Sequence, residues 1–172
     1  MDYYIMCQDD TISDFAEPVG ISAVIYKDAV KKGQIQFFDK LPEQFYIKQK
    51  SSIQYIDYLD KPVHLVSDAF KQLLEFSFRK TIFFKPIVLA DKKMMRQDLY
   101  WMIVPEIIDC LSKESEFNKD GTLKKLVIDI NKTGCSTFFK IEGIMEDYII
   151  LREDVAEKIL KEGLVGIKFL KV

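Results

Sequence analysis

Apolar and polar positions alternate most regularly between Leu123 and Val172, and that stretch predicts a run of closely spaced elements. Leu126, Ile128 and Ile130 recur at every second position of Lys125–Ile130, the period of a half-buried strand. Asn131-Lys132-Thr133-Gly134 carries turn chemistry, because Asn and Gly tolerate positive φ. Thr137–Ile141 then supplies the returning strand. Tyr148–Leu151 reads as a third strand and Asp154–Glu162 as a helix. Gly163 stands where a glycine ends a helix, and Gly166–Val172 closes as a strand.

Upstream, the pattern is looser. Asp2–Gln8 predicts a strand with Tyr3, Ile5 and Cys7 on one face, and Asp9–Glu17 a polar loop punctuated by Pro18 and Gly20. Ile21–Tyr26 is apolar and partly β-branched, which predicts strand. Asp28–Gly33 is a turn or a helical turn, Ile35–Phe38 and Gln44–Ile47 are short edge strands, and Ile53–Tyr58 is extended or irregular. Pro62–Val66 is a strand, and Ser67 offers its hydroxyl as a helix N-cap. Behind it, Ala69, Phe70, Leu73 and Leu74 form a stripe of helical period. Thr81–Leu89 returns to strand, with Pro86 implying an edge or a break. Asp98–Val104 is a further strand, Pro105–Leu111 a short helix and Ser112–Gly121 a charged loop.

The helix regions also match each other at an offset of 86 residues: Leu65, Asp68, Ala69, Phe70, Leu73 and Leu74 fall on Leu151, Asp154, Val155, Ala156, Ile159 and Leu160. The pattern therefore predicts a single α+β domain over residues 1–172. It is a mostly antiparallel sheet with two short amphipathic helices, and the match of strand–helix–strand units reads either as a weak internal duplication or as chance coincidence of apolar periodicity.

Composition adds boundaries. A chain of 172 residues is long enough to bury a core without staples, and thirteen Phe with eight Tyr lean toward sheet. With 25 basic and 27 acidic residues, no net field selects a nucleic acid or an anionic membrane. MDYYIMCQDD lacks the basic and apolar regions of a signal peptide, and no stretch approaches the roughly 18 apolar residues of a membrane span. Cys7, Cys110 and Cys135 fit free thiols in a reducing compartment, so a cytoplasmic location is expected.

Reactive chemistry is sparse. His64 is the one histidine; alternation places it opposite Val63 and Leu65, on the exposed face of its strand, and a pairing with Cys110 is sterically conceivable. One histidine and no CxxC argue against zinc. No phosphate loop or GxSxG elbow is present. Asp109, Glu114 and Glu116 cluster in sequence, while Glu153 and Asp154 suit a helix N-terminus. Tyr100 and Trp101 lie in an apolar strand, and read either as core or as an aromatic anchor for a partner.

Four segments in order carry a resemblance: KPVHLVSDAFKQLLE, YWMIVPEIIDCLSKESEF, KKLVIDINKTGCSTFFKIEG and YIILREDVAEKILKEGLVGIKF. From Lys61 to Val172 the chain resembles the large immunity-protein family of bacterial polymorphic toxin systems, first catalogued as a domain of unknown function. Asp109, Cys110, Ser115 and Glu116 match one family segment, and Leu164, Gly166 and Phe169 another. Arg152 departs from the family's Ser-like cap before the last helix, which leaves Glu153 or Asp154 to cap. The resemblance implies a cytoplasmic, non-enzymatic protein that binds a cognate toxin and blocks it by stoichiometric occlusion. It implies no cofactor, no metal and no small-molecule substrate. Tyr100, Trp101, Asp109, Glu114 and Glu116 are then the expected toxin contacts, with Asp109, Cys110 and Glu116 alternatively shaping their loop. An adaptor domain, or a small enzyme using Asp109, Glu116 or His64, are the rival expectations.

Overall fold

The computed structural model describes residues 2–172 and is α+β, with 21% helix, 36% strand and mostly antiparallel pairing, as the patterning predicts. The chain begins with β1 (Tyr3–Gln8), followed by β2 (Pro18–Val19), α1 (Ile21–Val24), α2 (Lys27–Lys31) and a 3-10 turn at Ile35–Phe37. β3 (Glu43–Ile47), β4 (Tyr58–Leu59), β5 (Leu65–Ser67), α3 (Asp68–Phe78), β6 (Ile82–Asp91) and β7 (Arg96–Pro105) come next. The remainder holds β8 (Ile107–Ile108), β9 (Glu116–Phe117), β10 (Leu123–Lys125), α4 (Ile130–Thr133), β11 (Phe138–Ile141), β12 (Ile149–Arg152), α5 (Glu153–Lys161) and β13 (Ile167–Lys171). These elements form two compact units, each discontinuous in sequence.

One unit comprises Gln8–Val104 with Leu164–Ile167 and holds a six-stranded sheet in the order β2-β3-β6-β7-β5-β4. Its core face is set by alternation: Phe45 and Ile47 of β3, Ile87 and Leu89 of β6, and Tyr100, Met102 and Val104 of β7 converge in one cluster. Two predicted strands are corrected here. Ile21–Tyr26 is not a strand: Ile21–Val24 forms the single turn α1, closed by the Ile25 amide on the Ile21 carbonyl, and extended Ile25 and Tyr26 lead into α2, with Ile21 and Ile25 buried and Val24 and Tyr26 facing out. Ile35–Phe38 is not a strand: Ile35–Phe37 is a 3-10 turn closed by the Phe38 amide on the Ile35 carbonyl at 3.1 Å, with Ile35 and Phe37 exposed. Pro86 lies inside β6, one residue before the β3 ladder begins at Ile87, so its missing N–H leaves that ladder intact.

The other unit comprises the chain up to Cys7 with Pro105–Gly163 and Lys168–Val172. It holds a five-stranded sheet, β13-β1-β12-β11-β8, and the ribbon β9-β10. Tyr3, Cys110, Phe139, Ile141 and Ile150 form a core cluster, with Tyr3 edge-on to Phe139 at 5.9 Å. Pro105–Leu111 is corrected from helix: it is extended, holding the end of β7, the two-residue β8 and an isolated bridge at Leu111. β8 pairs in parallel with β11, and the Glu106 and Ile108 carbonyls accept from the Lys140 and Glu142 amides. Sheet hydrogen bonds give this segment partners that a lone helical turn would lack. The expected hairpin across Asn131–Gly134 also differs. Asp129 caps a helical turn through the Asn131 amide at 3.1 Å, Gly134 leaves it at φ +57°, and β11 pairs with β12 instead.

Both long helices sit in split strand–helix–strand arrangements. α3 joins β5 to β6, which flank β7; α5 joins β12 to β13, which flank β1. The 86-residue offset thus aligns like elements. The inserted strand follows its helix in one case and precedes it in the other, so a plain tandem copy does not generate both.

Ser67 caps α3 as its position predicts: its hydroxyl oxygen accepts from the Phe70 amide at 3.2 Å and its proton goes to Asp57 at 2.6 Å. Asp57 also takes the Val165 amide at 2.6 Å, and its own amide donates to the Val165 carbonyl at 2.7 Å. Next to this clasp, Gly166 lies at φ +84° with Ile56 so close that an added Cβ would stand 2.6 Å from the Ile56 Cβ. At the other end of α5, Arg152 provides no side-chain cap and forks onto Asp154 at 2.6 and 2.7 Å.

Two outcomes are expected in urea denaturation. Ser67→Ala removes a cap and the Asp57 bond together and should lower stability by about 1–2 kcal/mol. Gly166→Ala should cost about 1–3 kcal/mol from its left-handed backbone alone, and more if Ile56 cannot yield.

Candidate interaction surface

The residues expected from the sequence separate in the structure. Tyr100 is 3% exposed, faces the core and donates its hydroxyl proton to the Ile56 carbonyl at 2.8 Å. Burial, aided by Asp98 and Asp57, pushes its phenol well above the usual range. Trp101, its neighbour on the strand, points to the opposite face. It is half-buried there, donating its indole N–H to Asp68 of α3 at 2.8 Å beneath the Lys71 ammonium, 4.5 Å from the ring. Asp109, Glu114 and Glu116 belong to the other unit and are exposed. Asp109 pairs with Lys132 at 3.5 Å and Glu116 with Lys124 at 2.7 Å. The Glu114 carboxylate has no ion-pair partner among the described residues. Ser115 ties their loop, its hydroxyl bonding both the amide and the carbonyl of Val127 at 3.0 Å.

The residues weighed for catalysis are engaged within the fold. His64 is not on an exposed face: it is 2% exposed, stacked on Tyr58, with Nδ1 2.7 Å from the Tyr58 hydroxyl. Cys110 is fully buried, and burial, then Asp109, pushes its thiol up to about 11, so it stays protonated at neutral pH. No group of three His, Cys, Asp or Glu among the described residues could hold a metal ion, and no described helix is long and apolar enough to cross a membrane.

Sequence reasoning missed a different surface. α3 covers one half of the outer face of the six-stranded sheet, the half that holds Trp101. On the other half, Gln44 and Tyr46 of β3 point away from the core, and Gln97 donates to Gln44 across the face at 3.0 Å. Leu99 shares that side by alternation, and Val19 pairs with Tyr46 on the neighbouring strand. Val19, Tyr46 and Leu99 are all exposed. A cavity of about 430 Å³ opens here between Tyr46, Ala90, Lys92, Met95 and Gln97.

The face ends at the turn between β6 and β7. Met94 and Met95 project there, 70% and 89% exposed, and Met95 adopts φ +49°, a region that costs a non-glycine residue energy unless its surroundings hold it. Asp91 does the holding: one carboxylate oxygen accepts from the Lys93 amide at 2.9 Å, the Met94 amide at 3.1 Å and the Gln49 side chain at 3.1 Å. Arg96 forks onto Asp98 at 2.7 and 2.9 Å and lies 3.7 Å over the Tyr55 ring. Lys92 lies 3.8 Å over the Tyr46 ring. The result is a fixed tip that presents two flexible apolar side chains flanked by cations, a composition suited to contact with another protein.

No protein-family model matches the chain, and no curated protein matches it.

Asp91 also predicts a pH response. Burial works against its ionisation, but the Met94 amide, Gln49 and the Lys93 amide outweigh it and hold its pKa below the ordinary 3.8. A carboxyl depressed on folding stabilises above its unfolded pKa and loses that contribution as pH falls through the folded one. Asp91→Ala should therefore remove hydrogen-exchange protection at the Lys93 and Met94 amides and lower the melting temperature at pH 7. The gap from the parent protein should close as the pH falls through the depressed pKa of Asp91, below the ordinary carboxylate value.

Proposed function

We propose that the chain is an immunity protein that binds a cognate bacterial toxin in the cytoplasm and neutralises it by one-to-one occlusion, without turning over a substrate. The toxin part of this reading rests on the ordered segments from Lys61 to Val172 that resemble such proteins. The binding part rests on one observation above others: the uncovered half of the outer sheet face, with Val19, Tyr46 and Leu99 exposed beside the Met94–Met95 tip. Apolar groups carried on a rigid ladder suit tight binding, because little side-chain or loop ordering is left to oppose association.

The expected contacts are reassigned accordingly. Tyr100 and Trp101 brace the strand that presents Leu99, one from each face. Asp109, Glu114 and Glu116 act at longer range. Their unit carries fourteen acidic and eleven basic residues, whereas the other carries thirteen and fourteen. That imbalance favours steering of a basic toxin surface more than affinity. The same face would serve an adaptor, and the partner's behaviour separates the two.

The deciding experiment isolates the partner of the tagged protein from its own cells and expresses that partner alone in a naive host. A partner that kills alone and is silenced by this chain meets the expectation; a harmless partner moves the chain to the adaptor class. In the resulting complex, Tyr46→Glu and Leu99→Glu should each weaken binding at least about tenfold with an unchanged melting temperature, as central interface positions do. Glu114→Lys should slow association, and the difference should shrink at high salt.

A further inference from the structure

The five-stranded sheet ends in a strand that is open on one side. β13 lies at its margin, beside β1. The Val172 amide donates to the Tyr3 carbonyl at 2.9 Å, and the Asp9 amide to the Gly166 carbonyl at 3.0 Å. These bonds make the pairing antiparallel. Both strands run the same number of residues between them, so no bulge shifts the register. Bonded residues alternate in such a ladder. Gly166, Lys168, Leu170 and Val172 therefore turn their backbone groups toward β1, and Ile167, Phe169 and Lys171 turn theirs away. Among the described residues, no hydrogen bond reaches those outward amides and carbonyls.

The other sheet margins are poorer templates. β8, β2 and β4 end their sheets with two residues each, whereas β13 has five. Natural edges are guarded by proline, by bulges or by charged side chains, lysine above all. β13 has no proline and no bulge, and its Lys171 is already paired with Asp2.

What this edge accepts follows from its own sequence, Ile167-Lys168-Phe169-Leu170-Lys171. Two copies laid antiparallel about a twofold axis at Phe169 set that ring against its own copy. Across the same axis Ile167 faces Lys171 and Lys168 faces Leu170. No lysine faces a lysine, and all three outward residues find partners. Moving the axis to Lys168 sets two lysines directly opposite each other, and moving it to Leu170 gives up the aromatic pair. Like charges directly opposite destabilise a ladder, while aromatic pairs stabilise it.

We propose that β13 is a self-pairing edge: a second copy of this chain joins antiparallel through it, centred on Phe169, and continues the five-stranded sheet across the axis. The outward residues supply about six backbone hydrogen bonds, two for each bonded pair. So short a seam makes a weak dimer, formed at high concentration and dissociated on dilution. It is independent of the toxin-binding reading, which uses the outer face of the six-stranded sheet.

The test uses the whole chain in sedimentation equilibrium from about 10 µM to 1 mM, the range of a weak association. The average mass should rise from that of one chain toward that of two. Amide hydrogen exchange at the two ends of the range locates the seam. Ile167, Phe169 and Lys171 should exchange freely in the dilute sample and slow at least about threefold in the concentrated one, as newly bonded amides do. Lys168, Leu170 and Val172 should be protected in both. Leu170 is 49% exposed, so its replacement chiefly alters what faces Lys168 across the axis. Leu170→Lys should weaken self-association, and Leu170→Glu should associate about tenfold more tightly than Leu170→Lys, as opposite and like cross-strand charges require. A chain that stays single at the highest concentration overturns the proposal. So does a dimer that leaves the Ile167, Phe169 and Lys171 amides unprotected, because another surface then joins the copies. Equal association of the two Leu170 variants, both melting as the parent does, overturns the Phe169-centred register. If either variant melts lower, the exchange pattern of the parent decides.

Discussion

Asp57 is the constraint on which the six-stranded unit depends. Its backbone and carboxylate hold the cap of α3 through Ser67 and the returning segment Leu164–Ile167 through Val165, and neighbouring Ile56 fills the space that only a glycine at position 166 leaves open. Because the cap is held, α3 starts at a fixed point on the outer face. From there Asp68 reaches Trp101, and Phe70 packs edge-on to Tyr58. The helix starts at the level of Trp101 and runs toward Ile82, away from the Leu99 end of β7, so Tyr46 and Leu99 stay exposed beyond its first turn.

How far the sequence revealed this depended on whether a residue's role was local. α3, α5, β12 and β13 were legible, because periodicity and a cap or glycine lie within each segment. Ser67 and Gly163 behave as their positions predict. Ile21–Tyr26 and Pro105–Leu111 were not, since short apolar runs fit both periods and the deciding contacts come from distant segments. The partner of β11 was misassigned for the same reason: turn letters at Asn131–Gly134 suggested a hairpin, while the Asp129 cap made a helical turn.

The site was less legible still. Tyr100 and Trp101 are adjacent in sequence and therefore face opposite ways on a strand, so they could not act as one anchor. Val19, Tyr46 and Leu99 resemble core strand residues until the extent of α3 is known. Asp91 and Tyr55 have no motif around them; their meaning comes from Gln49, Arg96 and Asp98 meeting in space. Net charge misled by averaging, because the acidic excess lies in one unit only. It also hides Lys85, which is buried in β6 and bonded to Asp39, Glu43 and the Leu41 carbonyl. Burial opposes that ammonium, but the two carboxylates outweigh it and raise its pKa. The charge pins the loop before β3 rather than advertising a ligand.

The position of β1 has a consequence for how the chain is made. It pairs with β12 on one side and lies beside β13 on the other, yet the whole six-stranded unit except its Leu164–Ile167 segment intervenes before either neighbour is synthesised. Among the described strands, β1 therefore waits longest for its ladder. Closing so long a loop is entropically slow, and until it closes β1 offers two unpaired edges. Through that interval the backbone groups of Tyr3–Gln8 are a template for wrong pairing, and the sheet is complete only when strands more than a hundred residues apart have met.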